Sequence, residues 1–289
     1  MTDEEREYSK EELDSLTEEL TRSPSYRLAY EDADFLDSDE ARPVRLQLEL
    51  MKPDTFLRRH NVRSTLVVFG STRIPSPGEA NARLEHLLKQ QQERPDDDSL
   101  RAAVASARTR VKQSRYYAEA RKFAGIMSRQ FQHEHRRDFV VLTGGGPGIM
   151  EAANRGAHDV GARTVGLNIT LPQEQVPNPY ITPDLCFKFH YFGLRKMHFM
   201  LRARALVAFP GGYGTLDELF EALTLIQTRK MRRIPIVLVG KPFWQKAVNF
   251  EFLVEEGVIA AADVGLFSLV DSADEAVALL QDYYQGAPP

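Results

Sequence analysis

Short apolar runs, rich in β-branched residues, recur along most of the chain and constrain its fold more than any other feature. Nearly every position within a run is apolar, which is typical of parallel strands that are covered on both faces. Segments with helical spacing of apolar residues, 149–160 and 216–226, lie between several runs. This alternation predicts an α/β fold, namely a doubly wound, Rossmann-like parallel sheet with helices on both faces. The runs are 64–70, 139–143, 163–168, 185–189, 205–209, 234–239 and 267–270.

Two regions are predicted to be helical additions to this sheet. Residues 1–60 are polar and acidic, and we interpret them as an N-terminal helical arm that precedes a Rossmann-like domain at 61–289. About residues 81–111 separate the first two strands and are predicted to form a helical insertion, because Leu100, Val104 and Val111 lie on one stripe.

The composition limits the classes of partner. The chain has 37 Lys and Arg against 41 Asp and Glu, so no broad basic surface is expected for nucleic acid or membrane lipid. It has one cysteine, Cys186, and no apolar run of roughly 18 residues or secretory signal. We therefore expect a cytoplasmic protein that holds any anionic ligand with local groups.

Two glycine-rich turns follow predicted strands directly, and both are suited to phosphate. One contains Gly144, Gly145 and Gly146, and the other contains Gly211, Gly212, Gly214 and Thr215. Glycine lets the backbone approach a ligand, and the helix that follows offers free N–H groups and a positive dipole end. Neither turn fits the dinucleotide fingerprint, and the chain has no P-loop. The alternative is that both are tight turns that bind nothing.

Charged residues beside these turns are the candidates for chemistry. Arg195 and Lys196 begin a predicted helix after the fourth strand, while Glu218 and Glu221 are three residues apart on the helix after the second turn. A carboxylate beside an anchored sugar can stabilise the positive charge that develops when a glycosidic bond breaks. From spacing alone, however, Thr215 and Glu218 also match a capping box, in which Glu218 only bonds to the helix end.

The motifs from Pro210 to Glu218 and from Arg195 to Met200, together with the first glycine turn, resemble the Lonely Guy family over about residues 64–275. That family cleaves nucleoside 5′-monophosphates to the free base and ribose 5-phosphate. The resemblance implies catalytic roles for Arg195 and Glu218. The substrate-binding residues that we expect are Ser71, Gly144, Gly145, Gly146, Glu151, Lys196, Met197, Gly211, Gly212, Gly214, Thr215 and Glu221.

Several further expectations follow from the same resemblance. Because Pro147 and Glu151 look more like larger bacterial relatives, AMP or another common nucleotide is favoured over cytokinin precursors. Glu151 can either bind ribose or cap its own helix. We expect no metal and no cofactor, a small-molecule nucleotide as partner, and a homodimer or higher homo-oligomer. The alternative function is a non-catalytic nucleotide or molybdenum-cofactor carrier or sensor on the same scaffold.

Overall fold

The computed structural model describes residues 7–133, 136–172 and 176–289. The chain divides into two compact units, Met1–Met51 and Lys52–Pro289. The first unit is helical, and the second contains the sheet. The helices are α1 (Lys10–Arg22), α2 (Ala33–Asp37), α3 (Arg42–Arg59), α4 (Pro77–Glu93), α5 (Asp98–Gln113), α6 (Arg115–Phe131), α7 (Ile149–His158), α8 (Phe192–Leu201), α9 (Tyr213–Gln227), α10 (Lys241–Ala247), α11 (Phe250–Glu255) and α12 (Ala273–Tyr283). The strands are β1 (Thr65–Phe69), β2 (Gln132–His133), β3 (Arg136–Arg137), β4 (Val140–Thr143), β5 (Thr164–Ile169), β6 (Cys186–Phe189), β7 (Ala203–Ala208), β8 (Ile236–Val239) and β9 (Phe267–Val270).

Seven strands form one parallel sheet in the order β6-β5-β4-β1-β7-β8-β9. The chain runs outward from β1 through β4 and β5 to β6, and then returns to the other side of β1 at β7. The strand order therefore reverses beside β1, as in a doubly wound sheet. This confirms the fold class predicted from the apolar runs.

Both faces of the sheet are covered by an apolar core. Leu66 and Val68 of β1 pack with α6, α7 and α12, whereas Val67 and Phe69 pack on the opposite face with α8, α9 and Trp244 of α10. Alternate residues of a strand point to opposite faces, so a strand covered on both sides is apolar at nearly every position, as in β1 after Thr65. All five residues of β1 are buried.

The predicted insertion is a pair of helices, α4 and α5, that pack on each other through a small apolar cluster of Leu87, Leu100, Val104 and Ala107. Helix α4 begins with a capping box between Ser76 and Glu79. Helix α5 is followed at once by α6, which lies in the main core. Within the described ranges, no helix has the length and apolar character that a membrane span requires.

Candidate functional site

A cavity of about 760 Å³ lies at the carboxyl ends of the parallel strands. Ser71 and the residues around it, which follow β1, line one side, and the loop from Pro210 to Thr215, which follows β7, lines another. These strands are neighbours at the point where the strand order reverses. Ligands of doubly wound folds bind in this crevice, so the cavity is the candidate functional site.

The first glycine loop has a backbone that suits only glycine at two positions. Gly145 and Gly148 have φ values of 75° and 73°, in the left-handed region. A Cβ on Gly145 would lie 2.2 Å from Asn168 Oδ1, and one on Gly148 would lie 2.3 Å from the carbonyl oxygen of Ser71. The loop therefore packs tightly against both β5 and the segment after β1.

A buried polar network fixes this loop on the side away from the cavity. The Thr143 hydroxyl donates to Asn154 Oδ1 at 2.7 Å and accepts from the N–H of Gly145 at 2.9 Å. Asn178 Nδ2 donates to Asn154 Oδ1 at 2.9 Å and to the Gly146 carbonyl at 3.0 Å. The loop is thus held in one conformation by side chains that lie away from the cavity.

The second glycine loop leads directly into α9 and leaves the start of that helix uncapped. The helix begins at Tyr213 after Gly212, and no side chain caps it. Thr215 is therefore inside the helix, so the capping box predicted as an alternative for Thr215 and Glu218 is wrong. The first N–H groups of α9 remain available beside the cavity, where they favour an anion.

Arg195 reaches the cavity from α8 and is fixed by two contacts. Its Nε donates to the Leu167 carbonyl at 2.7 Å, and its guanidinium carbon lies 5.1 Å from the centre of the Phe199 ring. A Cβ on Gly144 would lie 2.5 Å from Arg195 Nη2, so glycine at this position gives the guanidinium its space. Burial lowers the pKa of Arg195, and the carboxylate of Glu218 opposes this effect.

Glu218 lies on α9 and is only 7% exposed. Its Oε2 is buried and has no hydrogen-bond partner among the described residues. Burial raises the pKa of Glu218 to about 7, although the positive charges of Arg195 and Lys196 act in the opposite direction. A buried carboxyl that ionises near neutral pH beside a guanidinium is typical of a functional site.

Lys196 joins the two helices that carry these residues. Its Nζ lies 3.1 Å from Asp217 Oδ1 and 3.1 Å from Glu221 Oε2, so it forms ion pairs from α8 to α9. Neither Lys196 nor Glu221 is among the residues that line the cavity. Both act on Glu218 through their charges, since Lys196 lowers its pKa and Glu221 raises it.

The structure brings together many of the residues that the sequence singled out. Those that line the cavity are Ser71, Gly144, Arg195, Gly211, Gly212, Gly214, Thr215 and Glu218. Those that lie outside its lining are Gly145, Gly146, Glu151, Lys196, Met197 and Glu221.

Two of the residues outside the lining are described by a hydrogen bond and by an exposed fraction, respectively. Glu151 accepts a hydrogen bond from the Tyr117 hydroxyl at 2.7 Å. Met197 is 47% exposed on α8.

Sequence reasoning missed other residues that line the cavity. Arg73 follows β1, while Arg110 and Gln113 come from the end of α5 in the insertion. Phe192 and Phe243 add aromatic surface. Arg73 lies two residues after Ser71 and could have been found from the rule on strand ends, but no local signal connects α5 with the site.

The fold and the site together define a doubly wound α/β protein with an anion-suited cavity that contains a buried glutamate. Residues 150–280 match the family described as "possible lysine decarboxylase". This segment holds the Arg195 and Glu218 motifs, whereas Ser71 and the first glycine loop precede it.

Curated relatives come from rice, Oryza sativa subsp. japonica. A probable cytokinin riboside 5′-monophosphate phosphoribohydrolase is 30% identical over 146 residues, which cover 50% of this chain and 62% of that protein. A cytokinin riboside 5′-monophosphate phosphoribohydrolase, also from rice, is 29% identical over 147 residues, which cover 50% of this chain and 60% of that protein. The chain thus matches less than two thirds of either relative. These matches confirm, at about 30% identity over half the chain, the resemblance to the Lonely Guy family.

A solved structure with a similar fold is the molybdenum cofactor binding protein from the phototrophic bacterium Rippkaea orientalis. It has a TM-score of 0.42 and 19% identity, and the alignment covers 58% of this chain and 87% of that one.

Among the described residues, no group of three His, Cys, Asp or Glu side chains has the arrangement of a metal site.

Proposed function

We propose that the protein hydrolyses the N-glycosidic bond of nucleoside 5′-monophosphates and releases the free base and ribose 5-phosphate. AMP is the first substrate to test, and cytokinin riboside monophosphates are the second. The observation that carries this proposal is Glu218, a buried carboxyl with a free oxygen and a pKa of about 7 beside Arg195 in the cavity.

A carboxylate at this position suits the proposed chemistry. As the bond between ribose C1′ and the base nitrogen breaks, its electron pair leaves with the base and positive charge develops on the sugar ring. An ionised Glu218 stabilises that charge, and a pKa near neutrality also suits it to accept the proton of the attacking water. The water oxygen bonds to C1′ and gives its proton to Glu218, while the departing base takes up a proton from solvent. Glu218 then releases its proton to solvent, which restores the carboxylate.

Arg195 supports this role in two ways. Its positive charge lowers the pKa of Glu218, which increases the ionised fraction at neutral pH. Its Nε is already bonded to the Leu167 carbonyl, so the guanidinium is held in place and its other N–H groups can donate to the substrate. The uncapped start of α9 is the proposed phosphate site, and Phe192 and Phe243 provide aromatic surface for the base.

The names of the rice relatives support this reaction at the level of the family. The decarboxylase description of the matched family is less consistent with the site. Amino-acid decarboxylation by pyridoxal phosphate needs a lysine that forms a Schiff base. No lysine is among the described residues that line the cavity.

The test is a chromatographic assay for free base. The purified protein is incubated with AMP, other nucleoside monophosphates, a cytokinin riboside monophosphate and adenosine. The variant is Glu218→Gln, and the matched control is Glu255→Gln, which removes an exposed carboxylate from α11. We expect base release from the monophosphates by the wild type and the control, and none by Glu218→Gln.

The remaining outcomes separate the alternatives. Release from adenosine at the same rate as from AMP would contradict a phosphate-dependent enzyme. Tight binding of AMP without any release of base would instead favour the carrier or sensor.

A further inference from the structure

We propose that the helical insertion completes the phosphate site, with the guanidinium groups of Arg110 and Arg73 as ligands of the substrate phosphate. This inference rests on the proposed function for the identity of the substrate. It assigns the α4–α5 pair a direct part in recognising phosphorylated substrates.

The placement of the insertion is the first argument. Arg110 and Gln113 are three residues apart on the last turn of α5, so they share one face of the helix. Both line the cavity that contains Glu218. Arg110 Nη1 donates a hydrogen bond to the backbone carbonyl of Arg73, which lies in the loop between β1 and α4. The insertion therefore makes one wall of the candidate site.

The second argument is that this wall has a fixed position. Leu100, Val104 and Ala107 of α5 are buried in the cluster shared with α4. Directly after α5, Tyr116 and Tyr117 of α6 are buried in the main core. Because α5 is fixed along its length and at its end, the Arg110 backbone is positioned before a ligand arrives, which reduces the entropy lost on binding.

Charge is the third argument. Among the described residues, neither Arg73 nor Arg110 has a carboxylate partner, although acidic residues outnumber basic ones in the chain. Arg195, the other cation in the cavity, faces Glu218. A phosphate monoester carries about −1.5 to −2 charges at pH 7, whereas a helix N-terminus offers about half of one positive charge. Two guanidinium groups without a carboxylate partner supply the difference.

The experiment measures binding by titration calorimetry with three probes. Ribose 5-phosphate carries the phosphate without a base, adenosine carries the base without a phosphate, and AMP carries both. The variants are Arg110→Gln and Arg73→Gln. The control is Arg108→Gln, which removes the same charge from an exposed position of the same helix.

We expect Arg110→Gln to weaken the binding of ribose 5-phosphate and AMP by about 10- to 100-fold, the effect of losing one charge-assisted hydrogen bond. The binding of adenosine should stay the same, and the control should match the wild type. Arg73→Gln should produce a loss of the same order, because it keeps the backbone carbonyl but removes the guanidinium.

The possible failures are distinguishable. If Arg110→Gln binds ribose 5-phosphate and AMP as tightly as the wild type does, the inference is overturned. Base release from AMP by the wild type would still leave the proposed function intact. If the wild type binds AMP without cleaving it, and Arg110→Gln weakens that binding, the inference stands and the hydrolase is rejected. Failure of the wild type to bind either phosphate overturns the inference.

Discussion

Replacing Glu218 with glutamine should stabilise the protein at pH 8 while it abolishes base release. The carboxyl is 7% exposed, and its Oε2 has no partner among the described residues. Ionisation of such a group in the folded protein loses solvation that the unfolded chain retains. The variant removes that charge and keeps the size and shape of the side chain.

The magnitude follows from the pKa of Glu218, which burial raises from 4.5 to about 7. Between these values the folded protein binds more protons than the unfolded chain, so its stability falls as the pH rises through this window. A change of this size corresponds to about 3 kcal/mol in the free energy of unfolding. Above pH 7 the free energy of unfolding of the wild type is reduced by this full amount, whereas below about pH 4.5 it is not reduced.

The assay is urea unfolding of the wild type and Glu218→Gln at pH 5 and pH 8. The stability advantage of the variant should grow between these values by up to about 3 kcal/mol. Glu221→Gln is the stability control, because it removes a carboxylate from the same helix but breaks an ion pair with Lys196. That variant should be less stable by up to about 1 kcal/mol. A Glu218→Gln protein that is less stable than the wild type at pH 8 would refute the reasoning.

Three further predictions concern the surroundings of this carboxyl. Gly144→Ala places a Cβ 2.5 Å from the guanidinium that faces it and should reduce base release about 100-fold, whereas Gly193→Ala on α8 meets nothing within 4 Å and should retain activity in the same assay. Asn154→Ala removes the centre of a buried polar network and should lower the free energy of unfolding by about 3 kcal/mol, measured by urea denaturation. If ionised Glu218 is required, kcat/KM should rise with pH through a midpoint of about 7. Lys196→Gln should move that midpoint to higher pH, because Lys196 lowers the pKa of Glu218. A midpoint that moves to lower pH would contradict this coupling.

The fold was predictable because its main signal is local. A strand buried on both faces must be apolar at successive positions, as in β1, so the sheet is visible in short windows of sequence. The rule that ligands bind at the carboxyl ends of strands then placed Gly144 and Gly211 at one site. Both residues do line the same cavity.

Other parts of the site depend on contacts that local sequence does not encode. The sequence pattern of Thr215 and Glu218 is that of a capping box, but the helix begins at Tyr213, two residues before Thr215, and leaves Glu218 Oε2 without a partner. Arg110 is 37 residues from Arg73, and only the tertiary packing of the insertion brings the two together. Spacing alone could neither exclude the capping box nor find this contact.

The same physics bears on the choice between a hydrolase and a carrier. Phosphate binding needs the start of α9, the glycine loops and positive charge, and none of these requires a buried carboxyl. An ionised Glu218 even repels a phosphate in the same cavity and destabilises the fold that holds it. Proteins retain such unfavourable groups where function depends on them. A carrier would therefore bind its ligand better without Glu218. A hydrolase, by contrast, would lose rate without it, because the negative charge of Glu218 stabilises the cation that develops on the sugar ring. Glu218→Gln should therefore raise AMP affinity under either function, and only the loss of base release that accompanies this gain would identify the hydrolase.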